Sequence, residues 1–224
     1  MELAEGKAKL EFLGHAGILI ALGDKKIVID PYNVSNQVDN ADIVLITHGH
    51  YDHCSIKDVM KVVKKGTVVL CPVDCQSKLT KIEGIDMHIV EVGEVLDFGK
   101  IKIEVFPAYN TKNENHPKSE GWVGYIVKIE GFIIYFAGDT DYIPEMQKLS
   151  GYGKHGNYFV SLLPVAGNVV MNAEEAAEAA SIISPDLAVP ISYGAGVYGT
   201  LKDAEDFVEL CKEKNVNASI LEKI

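Results

Sequence analysis

The sequence predicts an α+β fold built as a four-layer αβ/βα sandwich, on three observations. Short β-like runs dominate both halves of the chain, helical patterns follow the strands in each half, and no linker separates the halves. Strands followed by one or two helices, seen twice, imply two sheets packed face to face with helices outside. A hydrophobic fraction of 47% over 224 residues is ample for a sizeable core, so residues 1–224 are expected to form a single domain.

The first half offers "KLEFLG", "GILIAL", "KIVID", "DIVLIT", "TVVLC" and "HIVEV", many bounded by Gly, Asp-Lys or Pro punctuation. Ser55 followed by Asp58 resembles a capping box, and Ile56, Val59, Met60 and Val63 share one face of the helix it starts, with Gly66 as the stop. The second half offers "KIKIEVFPA", "GYIVKIE", "FIIYFAGD", "FVSLLPV", "LAVPIS" and "ASILEK". Its helices are "NAEEAAEAASIISP", capped by Asn172 and ended by Pro185, and the amphipathic "LKDAEDFVELCKEKN". The longest polar stretch, Tyr109 to Gly121, is a loop of the kind that carries function.

Charge and composition narrow the function classes. The formal charge is −11, and all 21 basic residues are lysine. Arginine is the preferred fork for phosphate and guanine edges, so a nucleic-acid enzyme is disfavoured and a small-molecule substrate fits better. The lysines of "IKDVMKVVKKG" read as a solvated helix face. No apolar run is long enough to span a membrane and the N-terminus is charged, so a cytoplasmic location is expected. Cys54, Cys71, Cys75 and Cys211 are too irregularly spaced for a zinc knuckle and read as buried or free thiols.

The chemistry concentrates in "ITHGHYDHCS", directly after an apolar strand-like run. In an extended segment His48 and His50 project to the same side and can grip one cation. Asp52 and His53, where the loop turns into the Ser55 helix, face a second position.

"THGHYDH" resembles the signature of the metallo-β-lactamase superfamily, whose αββα sandwich matches the strand and helix count. "FLGHAGILI", "IDPY" and "YFAGDTDYIPEM" resemble the L-ascorbate 6-phosphate lactonase-like group and its metal-dependent hydrolase relatives. "PAYNTKNENHPKSEGWVGY" and "NVVMNAEEAAEAA" resemble one sub-branch of that group, so the likeness covers nearly the whole chain. It implies a first metal held by His48, His50 and a third histidine, with Asp139 bridging to a second metal held by Asp52 and His53. Many members place the third histidine directly after the strand "IEVFPAY"; this chain has Asn110 there, and His116 is the natural substitute.

One departure concerns the second metal. Relatives carry "PxHYG" where this chain reads "VPISYG", so Ser192 stands in place of a ligand histidine. A neutral hydroxyl is a poor zinc ligand. Three outcomes stay open: a weaker second site filled out by water, a single-metal enzyme, or compensation by another side chain such as Tyr193. His15 is open between an approach to the metals or substrate and a turn histidine bonded to nearby backbone. His88 and His155 read as surface residues, and Cys54 as a small buried filler.

The function expected is a metal-dependent hydrolase that uses metal-activated water on a small ester, lactone or phosphodiester. Asp52 is expected to orient the water and take its proton, with Tyr193 or His15 supporting an oxyanion. One or two divalent ions are expected, zinc foremost, with manganese and iron equally compatible with histidine and carboxylate. The alternative is a metal-binding or sensing protein whose catalysis was reduced or lost with the histidine at 192, and behind it a nuclease.

Overall fold

A computed structural model of the chain describes residues 1–3, 8–35, 38, 40–129, 131–154 and 156–224. The chain divides into two compact units, residues 1–90 with 221–224, and residues 91–220.

The first unit is a seven-stranded sheet in sequential order: β1 (Glu2–Leu3), β2 (Ala8–Gly14), β3 (Gly17–Leu22), β4 (Lys25–Ile29), β5 (Ile43–Leu45), β6 (Val68–Cys71) and β7 (Asp86–Ile89). The strands to β4 are antiparallel, and β4 to β7 run parallel. Helices α1 (Ile56–Val62) and α2 (Gln76–Leu79) connect the parallel strands. Val59, Val62 and Leu79 from these helices join Val28, Val44 and Val69 of the sheet in one buried cluster, so these helices close a face of the sheet. Parallel strands deliver loops together at their carboxyl ends, where open sheets bind ligands, and the histidine loop leaves β5 at that end.

The second unit is a six-stranded sheet of β8 (Val95–Asp97), β9 (Ile101–Pro107), β10 (Val123–Ile129), β11 (Phe132–Phe136), β12 (Tyr158–Pro164) and β13 (Leu187–Ile191), again sequential in space. β11, β12 and β13 are parallel, linked across β12 and β13 by α3 (Ala173–Ile183) and followed by α4 (Leu201–Glu213). Asn172 caps α3 in a true capping box, its side chain accepting from the Glu175 amide at 2.9 Å while Glu175 accepts from the Asn172 amide at 3.2 Å. The alanines at 176, 177, 179 and 180 are fully buried. Asp139 follows β11 and Ser192 follows β13, so both lie at the carboxyl ends of parallel strands.

The α+β class is borne out, with several corrections. "ASILEK" forms no strand: Ala218 bridges Ala188 of the second unit and Lys223 bridges Phe12 of the first, so no run of consecutive pairs develops. Helix α1 ends at Val62 because Val63 turns extended at φ −93°, ψ 153°, and Met60, expected on the buried face, is 59% exposed. "HIVEV" pairs earlier than expected, from Asp86 to Ile89. The short β1, β8 and α2 carry too few residues to show a period.

Ser55 and Asp58 do not form a capping box. The Ser55 hydroxyl donates to Asp58 at 2.6 Å, and the Asp58 carboxylate accepts from the Asn33 and Val34 amides at 3.1 Å each and from Lys61 at 2.9 Å. It therefore ties the loop after β4 to α1. Burial pushes this carboxyl up, but these donors outweigh it and hold the group below the usual carboxylate range. A depressed carboxyl stabilises the fold above its unfolded value and loses that contribution as pH falls through the folded one. Asp58→Asn is therefore expected to flatten the acid limb of the stability curve, measured by urea unfolding from pH 6 to below 4; an unaltered pH dependence would contradict this.

All four cysteines are buried and free, as expected. Lys57, Lys64 and Lys65 are exposed, while Lys61 reaches back to the Val34 carbonyl. Among the described residues no helix is long and apolar enough to cross a membrane.

Candidate metal centre

In the first unit the site is organised by Asp30, which follows β4 in a left-handed conformation (φ 43°) and is fully buried. Its carboxylate accepts from the Thr47 amide at 2.9 Å, the Thr47 hydroxyl at 2.6 Å and His53 Nδ1 at 2.7 Å. A carboxylate only accepts, so His53 carries its proton on Nδ1 and presents Nε2 as a lone pair. The Thr47 hydroxyl has spent its one proton on Asp30. Its contact with His48 Nδ1 at 2.9 Å must then be donated by the ring, which leaves His48 Nε2 as a lone pair as well.

His48 Nε2 lies 3.1 Å from His50 Nδ1. Adjacent ligands on a tetrahedral ion with bonds of 2.0–2.1 Å are separated by about 3.3–3.4 Å, so the pair is spaced as two ligands of one cation. The peptide between them is clamped on both sides: the Gly49 amide donates to Asp74 at 2.8 Å, and Lys78 donates to the Gly49 carbonyl. A Cβ at Gly49 would meet Asp74 Oδ2 at 2.5 Å, which explains the glycine of "HGH". Gly49→Ala is expected to push Asp74 aside and weaken metal binding by about 10–100-fold, read by competition with a chelating dye; unchanged affinity would show the clamp to be dispensable.

Asp52, 7% exposed, accepts from His15 Nε2 at 2.9 Å and lies 3.8 Å from His53 Nε2. His15, Asp52 and His53 each offer a donor atom within 4.8 Å of the others, and all three are buried. His15 is bonded to this carboxylate rather than to the backbone of its own turn.

In the second unit His116 is held by residues that sequence reasoning missed. His116 Nδ1 faces two acceptors, Asn110 Oδ1 at 2.9 Å and the Val169 carbonyl at 3.0 Å, so it is the donor and Nε2 carries the lone pair. Asn110 also accepts the His116 amide at 2.9 Å and donates to Asp141 at 3.1 Å, which fixes its amide orientation. Asp141 gathers the Thr111 and Lys112 amides at 2.6 and 3.0 Å, folding the long polar loop back onto the "AGDTD" turn. Asn110, at the position where a ligand histidine was expected, thus aims the histidine that replaces it. Asn110→Ala should weaken metal binding about 10–100-fold with the fold retained by circular dichroism; an unchanged affinity would contradict this positioning role.

His116 Nε2 lies 3.4 Å from Asp139 Oδ2. A lone pair facing a carboxylate oxygen across this gap calls for a cation or a proton between them, and the gap again matches a ligand pair. The other Asp139 oxygen accepts from Ser192 Oγ at 3.3 Å, so the serine supports the carboxylate. Ser192 is itself left-handed (φ 63°) and packs on Gly199, where a Cβ would meet the Ser192 carbonyl at 2.3 Å. Burial pushes the Tyr193 phenol up to about 12, which keeps it protonated at neutral pH and suits it to donate a hydrogen bond rather than to ligate as an anion.

His88 is exposed beside Asp86, as expected of a surface residue, and His155 lies outside the described residues. Imidazole nitrogens and carboxylates, with the far ring nitrogens fixed by buried partners, fit a divalent transition ion.

Known proteins agree with this chemistry. The profile of the Beta-lactamase superfamily domain matches residues 9–192, which spans both units. A UPF0173 metal-dependent hydrolase from Pyrococcus furiosus is 32% identical over 216 residues, covering 92% of this chain and 93% of its own. A structure from Parabacteroides distasonis, described as that of a metal-dependent hydrolase, superposes with a TM-score of 0.83 at 28% identity, covering 100% of this chain and 97% of its own. Igni18, a metallo hydrolase of Ignicoccus hospitalis, shares the fold with a TM-score of 0.74 at 21% identity, covering 96% and 95% of the two chains. The chain has the metallo-β-lactamase fold and belongs to the β-lactamase superfamily, within its UPF0173 metal-dependent hydrolases.

Proposed function

We propose that these histidines and aspartates hold one or two divalent ions, zinc foremost with manganese or iron as alternatives, in a single-domain cytoplasmic hydrolase. The substrate is a small ester, lactone or phosphodiester. The observation that carries this reading is the set of Nδ1 contacts of the buried histidines: His48, His53 and His116 each donate from Nδ1 to a fixed acceptor, so that Nε2 is the ring nitrogen that carries no proton. In this reading the residues that would hold metal are His48, His50, Asp52 and His53 in the first unit and His116 and Asp139 in the second.

Such an ion, when bound, polarises a carbonyl or phosphoryl oxygen and makes water nucleophilic near neutral pH. The chain's own groups do the rest. Asp52, buried beside His15 and His53, aligns the water and takes its proton. Tyr193, kept as a phenol, donates to the developing oxyanion. With no arginine in the chain, a substrate phosphate depends on the metal, lysines and backbone amides.

Asp52→Ala is expected to lower turnover of a generic phosphodiester or lactone by about 10²–10⁴-fold. Full turnover in that variant would remove Asp52 from the reaction.

A further inference from the structure

We propose that His15 is itself a metal ligand, completing with Asp52 and His53 a second cation site in the first unit. The proposal rests on the reading of the chain as a metal enzyme.

The backbone supplies the first argument. His15 occupies the turn between β2 and β3 at φ 56°, in the left-handed region, and the pairing of the two strands slips between Phe12 and Gly14. Left-handed backbone is uncommon for a residue other than glycine, and bulges of this kind re-aim side chains beside active sites. Here the turn buries an imidazole to 2% exposure, with its ring edge-on to that of His53 at 5.3 Å.

The donors supply the second. His15 Nε2 and Asp52 Oδ2 are 2.9 Å apart, Asp52 Oδ2 and His53 Nε2 are 3.8 Å apart, and one donor atom from each residue lies within 4.8 Å of the others. Atoms so spaced share a point about 2.0–2.5 Å from each, the bond range of divalent metals with nitrogen and oxygen ligands. Binding displaces the His15 proton now directed at Asp52.

The third argument is what His15 leaves undone. Its Nδ1 is buried with no hydrogen-bond partner among the described residues, whereas a histidine kept to brace a turn would spend that nitrogen on nearby backbone. The Tyr32 ring lies edge-on to that of His15 at 5.8 Å.

The test is metal stoichiometry after equilibrium dialysis against buffered zinc, with the visible spectrum of the cobalt-loaded protein as a second readout. Wild type is expected to bind two equivalents. His15→Gly, which keeps the left-handed backbone, is expected to bind one and to regain the second in millimolar imidazole. His15→Asn also tolerates that backbone and retains an amide donor for Asp52, and it too should bind one. Two equivalents in either variant, or a wild-type stoichiometry of one that His15→Gly leaves unchanged, would overturn the proposal while leaving the metal centre standing. If wild type and His48→Ala both bind no metal, the proposed centre falls, and the His15 site with it.

Discussion

Replacing Asp30 with alanine is expected to destabilise the protein by about 3–5 kcal/mol and to weaken metal binding by about 10–100-fold. Asp30 is fully buried and is the common acceptor for the Thr47 amide, the Thr47 hydroxyl and His53 Nδ1. Its loss strands three buried donors, each costing on the order of 1–3 kcal/mol, though relaxation and water entry would return part of that. For a chain of this size the melting temperature should fall by roughly 10 °C. The chemical consequence is separate from the thermal one. Without the carboxylate, the His53 proton is no longer fixed on Nδ1, and the Thr47 hydroxyl is free to donate to His48 and reverse that ring's proton pattern. Asp30→Asn, similar in shape but with one oxygen turned donor, should fall between the two proteins. A destabilisation below 1 kcal/mol with unchanged metal affinity would show that Asp30 does not organise the loop.

His48→Ala and His116→Ala are each expected to cut hydrolytic turnover by about a thousand-fold or more. That is the several kcal/mol a Lewis-acidic ion contributes to charge stabilisation, at 1.36 kcal/mol per factor of ten. Neither change is expected to damage the fold severely, because each ring is tethered through Nδ1 to groups that keep other partners. Thr47 retains Asp30, and Asn110 retains Asp141. His88→Ala, at an exposed strand position, is the control that should leave turnover unchanged. Equal activity in His48→Ala and His88→Ala would break the link between the histidine loop and the reaction.

Some of this was legible in the sequence and some was not, for physical reasons that differ by residue. "HGHYDH" was readable because its donors are consecutive and follow an apolar strand, so local geometry alone groups them. Asp139 was reached through the family resemblance, since an aspartate after an apolar strand is by itself an ordinary turn residue. Asn110 illustrates the opposite case: its role depends on Asp141, 31 residues away, and on the Val169 carbonyl, 59 away. Asp74 and Lys78 clamp Gly49 across separations of 25 and 29 residues. Contacts of that range are set by strand order, which no local pattern encodes. Asp30 stood within the quoted "IDPY", yet nothing in that tetrapeptide shows that its carboxylate fixes the proton positions of two histidines. The fold shows the same division. Strands and helices with clear periods emerged near their expected places, whereas "ASILEK" has strand composition but makes single bridges to each unit.

The central claim is that the buried histidines and aspartates hold a divalent metal that the chemistry requires. Elemental analysis of protein purified without chelator, run beside His48→Ala and His116→Ala, tests it most directly. At least one equivalent of a divalent transition metal per wild-type chain is predicted, with that equivalent lost in both variants. A wild-type protein without metal, or one whose metal content both variants retain, would contradict it.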